Sequence, residues 1–171
     1  EPLVAFPVLQ LQELVAGKVK AIMERVAARD LFDLSRLAKE MPALFEDPLA
    51  RALAIRAGGT ADSFPRILRP AEALNRLAEP GADFTQPLFA VLRTDERLDY
   101  SAMLASVSRW LAPLDALSPA EAEFERALAD RAEYRPELLF SEWPDVLDRA
   151  RVDPVMAWKL VNLRKRLADK G

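Results

Sequence analysis

Apolar residues recur along this chain at helical spacings and almost nowhere in strict alternation. Leu11, Leu14, Val15, Val19 and Ile22 fall at intervals of three, four and seven, which predicts a helix from about Leu11 with these residues facing inward. A second helix is expected from about Asp30 to Glu40, with Leu31, Leu34, Leu37 and Ala38 inward and Pro42 beyond its end. The short break between the two predicts a tight helical hairpin. Ahead of it, EPLVAFPVLQ carries β-branched and aromatic residues between Pro2 and Pro7, the pattern of an extended lead-in or a short edge strand. Those residues also read like the interior of a longer chain.

Helix starts are signalled downstream by acid–proline and serine–proline pairs. Asp47–Pro48 opens a helix through Arg56 that is expected to stop at Gly58 and Gly59. Residues 60–69 read as loop, Pro70 begins a short helix ending before Pro80, and the stretch 82–98 reads as a short helix in preference to a strand. Asp99 caps a helix carrying Met103, Val107, Trp110 and Leu111. Ser118, Pro119 and Glu121 form a capping box. One or two short helices are expected between Pro136 and Arg151. Asp153–Pro154 starts the last one, with Met156, Leu160, Leu163 and Leu167 inward and Lys159, Arg164, Lys165 and Arg166 mostly elsewhere.

Composition supports this reading. Thirteen prolines against five glycines, in a chain of 171 residues that is 51% hydrophobic, describe helices punctuated by proline. The expected class is all-α, as a single helical unit over 1–171, with a hairpin-bearing segment at 1–42 and a bundle at 43–171. A formal net charge of −3 provides no overall basic field to attract nucleic acid. With neither cysteine nor histidine, any chemistry falls to carboxylates, Lys, Arg, Tyr or hydroxyls. No apolar run reaches the length of a membrane span and no signal-peptide layout is present, so a cytoplasmic location is expected.

Within AGKVKAIMERVAARDLFDL, Lys18 projects from the apolar side of its helix and Arg25 lies two turns further along the same stripe. A point charge followed by a guanidinium fork suits a triphosphate. The same spacing suits a lysine lying along the core edge and an arginine supporting a helix C-terminus. Asp30 and Asp33 are likewise open to two readings. Asp30 as N-cap and Asp33 as third helical residue, paired with Arg29, would serve the fold. Either aspartate would also serve to orient or deprotonate a hydroxyl or to help hold magnesium. Glu13 completes a third carboxylate. GGTADS lacks the lysine and the preceding strand of a phosphate loop.

Taken in order, ELVAGKVKAIMER and ARDLFDL resemble a signature of the AbiEii-like nucleotidyltransferase family, the toxins of type IV toxin–antitoxin and abortive-infection systems. The pattern there runs E-L-x-A-x-K-x-x-A-x-x-x-R, a turn, then R-D-x-x-D-L. Glu13, Leu14, Ala16, Lys18, Ala21, Arg25, Arg29, Asp30, Asp33 and Leu34 fall into it. DPVMAWKLVN near the C-terminus resembles a P-x-x-x-W-K-x-x-N ending of the same family.

The resemblance implies transfer of a nucleoside monophosphate from an NTP, with Mg2+, to an acceptor such as tRNA, in a bacterial phage-defence protein partnered by an antitoxin. Lys18 then contacts the nucleotide phosphates, with Arg25 as a second nucleotide-binding group, and Asp30 and Asp33 are the catalytic aspartates. The family's glycine turn followed by a metal-binding D-x-D is missing from these residues. The resemblance therefore implies the C-terminal helical portion of such an enzyme, with no metal ligands of its own. That portion is expected to be inactive alone and to bind neither NTP nor Mg2+ tightly. The alternative is a non-catalytic helical module that binds an antitoxin, a partner subunit or RNA.

Overall fold

A computed structural model describes residues 10–65, 69–79 and 99–169, and every regular element among them is helical. In chain order they are α1 (Leu11–Arg25), α2 (Ala28–Glu40), α3 (Pro48–Gly59), α4 (Pro70–Leu77), α5 (Tyr100–Leu111), α6 (Pro119–Arg131), α7 (Glu137–Phe140), α8 (Pro144–Arg151) and α9 (Pro154–Ala168). Single 3-10 turns occupy Leu44–Glu46 and Ala112–Leu114. The mainly α class expected from the pattern is the class observed. The lead-in over 1–9 and the helix expected within 82–98 lie outside the described residues.

The aspartate caps work as expected. Asp47, Asp99 and Asp153 accept hydrogen bonds from the N–H groups of Leu49, Ala102 and Val155, each at 2.9 Å. Each bond satisfies a donor that the first helical turn leaves without a backbone partner. The Ser118 hydroxyl accepts from Glu121 N at 3.3 Å, and the Glu121 carboxylate accepts from Ser118 N at 2.7 Å, closing the capping box at the start of α6.

The alanine-rich α3 forms the centre. Ala50, Ala52, Leu53, Ala54, Ile55, Gly58 and Gly59 are all buried, the mark of a helix enclosed on several sides. Helix α1 lies along it through Val15, Val19 and Ile22, all fully buried, while α2 packs on α5 and α6 holds α7 and α9. Leu31, Leu34, Leu111, Phe124, Leu128, Phe140 and Met156 belong to the same continuous core.

Helix α3 ends at the glycine pair, as expected, and Gly59 meets α6 so closely that an added Cβ would lie 2.9 Å from Leu128 Cδ2. Two expectations are corrected. Leu11 and Leu14 face outward, 47% and 44% exposed. The buried arc of α1 turns instead through Val15, Val19, Ile22 and Met23, because α3 and α4 approach from that side. Lys159, expected away from the core, is only 4% exposed.

Candidate functional site

Helices α1 and α2 are joined by Val26 and Ala27 alone, and Val26 takes a left-handed conformation with φ 52°. That is a costly backbone region for a β-branched residue, and it folds the chain back sharply enough for the two helices to exchange side chains. Two ion pairs cross the hairpin. Lys18 Nζ donates to Asp33 Oδ2 at 2.5 Å, and Arg25 Nη2 donates to Asp30 Oδ1 at 2.8 Å. All four residues singled out in the sequence are thus brought together, in pairs that their sequence order does not disclose.

The pairs differ in access. The Lys18 and Asp33 side chains are 37% and 31% exposed, so both charges can be reached from solvent. The Asp30 side chain is 2% exposed beneath an Arg25 that is half exposed, and its Oδ2 is enclosed without a hydrogen-bond partner. Such an arrangement fixes a backbone corner, since a buried carboxylate held on one side gains most from keeping its one cation in place.

Asp30 is not the N-cap of α2. That position belongs to Ala27, which supplies no side-chain cap, and the helix begins at Ala28. Asp30 sits in the first turn, where the helix dipole favours its charge, and turns its oxygen toward Arg25 instead of a backbone N–H. Asp33 finds Lys18 across the hairpin, and the expected pairing with Arg29 is absent among the described ion pairs. Glu13 accepts the Gln10 N–H at 3.0 Å and so closes the start of α1.

A metal does not fit this set. No group of three or more His, Cys, Asp or Glu residues that could hold an ion occurs among the described residues. Asp33 is committed to Lys18, and Asp30 is enclosed beside Arg25.

The basic residues of α9 separate into two groups. Lys159 Nζ donates to the carbonyls of Ala61 and Asp62, and Arg166 Nη1 donates to Phe64 O at 2.9 Å. Arg164 and Lys165 are exposed. On the outward side Val155, Trp158 and Val161 form an apolar stripe, 54%, 62% and 49% exposed. The sequence reading missed this stripe, although the three-residue spacing of those apolar side chains was visible there.

Fold and hairpin together define a helical protein that presents an accessible lysine–aspartate pair braced by a buried arginine–aspartate pair. The sequence profile described as nucleotidyl transferase AbiEii toxin, Type IV TA system, matches residues 1–138. The chain belongs to that family, so it is a member of the nucleotidyltransferase toxins of type IV toxin–antitoxin systems. No curated protein and no solved structure matches the chain. The tryptophan–lysine motif of α9 lies beyond the matched residues. No helix among the described residues is long and apolar enough to cross a membrane.

Proposed function

We propose that the hairpin is the phosphate-facing and acceptor-facing part of a nucleotidyl-transfer site. The observation that carries this reading is the Lys18–Asp33 pair, open to solvent and within the residues that the family profile matches. In the resting protein Asp33 neutralises Lys18. An arriving triphosphate competes for the ammonium with several oxygens against one carboxylate, and the strength of charge-assisted hydrogen bonds favours the exchange. Lys18 then holds phosphate, and Asp33 is released as an acceptor for a hydroxyl proton.

In the transfer itself the acceptor oxygen bonds to the α-phosphorus and the bond to the pyrophosphate oxygen breaks. The hydroxyl proton passes toward Asp33. Arg25, half exposed above Asp30, offers a second cation to the nucleotide, while Asp30 acts through Arg25 as a positioning residue. A metal, if used, is held by carboxylates outside this hairpin, such as the D-x-D of a companion domain, and this chain alone is then inactive. A tRNA acceptor and an antitoxin partner belong to the same reading.

Labelled-NTP transfer assays on the full-length protein test it. Lys18→Ala and Asp33→Asn are expected to abolish most transfer; wild-type activity in both would sink the proposal.

The outward stripe of α9, with Arg164 and Lys165 beside it, favours a second reading, an interaction module for RNA or a protein. Salt-dependent RNA binding is its discriminator, because phosphate contacts weaken steeply with salt. Absence of binding at low salt removes the RNA version.

A further inference from the structure

The turn over residues 60–65 is held by charge from two helices that are distant in sequence. From α1, Glu24 Oε1 accepts the Asp62 N–H at 2.6 Å and the Ser63 N–H at 3.4 Å, and Lys20 Nζ donates to Thr60 O at 3.4 Å. From α9, Lys159 Nζ donates to Ala61 O and, at 3.5 Å, to Asp62 O, while Arg166 takes Phe64 O. A carboxylate on the amide side and three cations on the carbonyl side leave the turn one orientation that satisfies all of them.

Lys159 is the unusual member. Its ammonium is buried, and it is held by backbone carbonyls and by the face of the Phe64 ring, 5.9 Å from the ring centre. Burial lowers its proton affinity, and the Arg166 charge lowers it further, while Asp62 and Glu24 act the other way. A buried charge held in this manner is costly to misplace. It therefore fixes α9 against the turn, and Glu24 fixes the same turn against α1.

Glu24 precedes Arg25, the partner of Asp30, and it stands six residues from Lys18, about 9 Å along the helix axis. We infer that Lys159 is a positioning residue: through the 60–65 turn and Glu24 it sets the place of α1, and with it the Lys18–Asp33 pair. A helix outside the family-matched residues 1–138 thereby acts on the family motif. The inference rests on the nucleotidyl-transfer reading only for its kinetic consequence.

The test uses the full-length protein with Lys159→Met, Lys159→Arg and, as a control for packing of α9 alone, Leu163→Ala. Measured relative to the rest of the core, hydrogen exchange at residues 20–25 and 60–65 is expected to quicken at least about ten-fold in Lys159→Met, to return toward wild type in Lys159→Arg, and to stay near wild type in Leu163→Ala, where the loss of a buried side chain lowers protection throughout the core. The KM for NTP is expected to rise about five-fold or more in Lys159→Met with kcat within about two-fold, the signature of lost ground-state binding. Unchanged exchange in Lys159→Met, or equal quickening in Leu163→Ala, overturns the inference; so does altered exchange with unchanged KM. Should Lys159→Met be insoluble, Arg166→Gln, which frees only Phe64 O, carries the same exchange and KM readouts at smaller size. Wild-type transfer activity in both Lys18→Ala and Asp33→Asn would remove the transfer reading while leaving the exchange result standing, so the two failures are distinguishable.

Discussion

Lys18 on α1 and Asp33 on α2 meet at 2.5 Å, fifteen residues apart in the chain, with about a third of each side chain open to solvent. An ion pair this accessible adds little to stability, about 1 kcal/mol or less. Its cost to function should be larger. Lys18→Ala and Asp33→Asn are each expected to lower the transfer rate about 100-fold or more and to leave the urea midpoint nearly unchanged. A variant that lost activity and unfolded early in the same proportion would mark the pair as structural.

For Arg25 and Asp30 the expected effect falls on stability as well as on transfer. Arg25→Met strands a carboxylate that is 1% exposed, at a cost of about 2 kcal/mol, below the range for fully buried pairs because Arg25 itself is half exposed. Removing the charge as well, in Arg25→Met with Asp30→Leu, should recover most of that loss. Urea unfolding of the two single variants and the double variant closes the cycle, and strict additivity would contradict a direct pair.

The three described glycines of α1 and α3 separate cleanly under alanine substitution. A Cβ at Gly17 meets nothing within 4 Å, so Gly17→Ala should gain about 0.5–1 kcal/mol from helix propensity alone. At Gly58 the nearest atom is Met23 Cε at 3.5 Å, an ordinary contact, and the change should be near neutral or slightly stabilising. At Gly59 the Cβ would lie 2.9 Å from Leu128 Cδ2, with Phe124 close behind, and overpacking should cost about 1–3 kcal/mol. Thermal melts rank the three.

These contrasts also show where sequence reading stops. Caps are local, and Asp47, Asp99, Asp153 and Ser118 were legible because a helix start is decided within four residues. The grouping of Lys18, Arg25, Asp30 and Asp33 was legible through the family motif. The pairing within it was not, since it depends on the turn at Val26 that sets how α2 folds back on α1. Leu11 and Leu14 share the helical period with Val15 and Val19, and only the approach of α3 decides which arc is covered. Lys159 falls among the outward cations in the sequence because no local pattern announces that its ammonium meets the carbonyl of Ala61, ninety-eight residues earlier.

The Arg51–Glu121 pair should govern behaviour in acid. Arg51 grips both carboxylate oxygens, at 2.6 and 2.7 Å, and also donates to Pro113 O and Ala116 O, tying α3 to the start of α6. Burial alone would push the Glu121 carboxyl up, but hydrogen bonds from Arg51 and Ser118 outweigh it and hold the group below its ordinary value of 4.5. With the folded value depressed, the unfolded chain takes up the proton first as pH falls. The stabilisation is complete above about pH 4.5 and is lost as pH drops through the folded value. Glu121→Gln should therefore cost about 1–3 kcal/mol at pH 7 and progressively less below pH 4.5, so that the urea curves of variant and wild type converge in acid. A gap that stayed constant from pH 7 down to about pH 3 would show that the cost of the substitution lies in packing and not in the charge of Glu121.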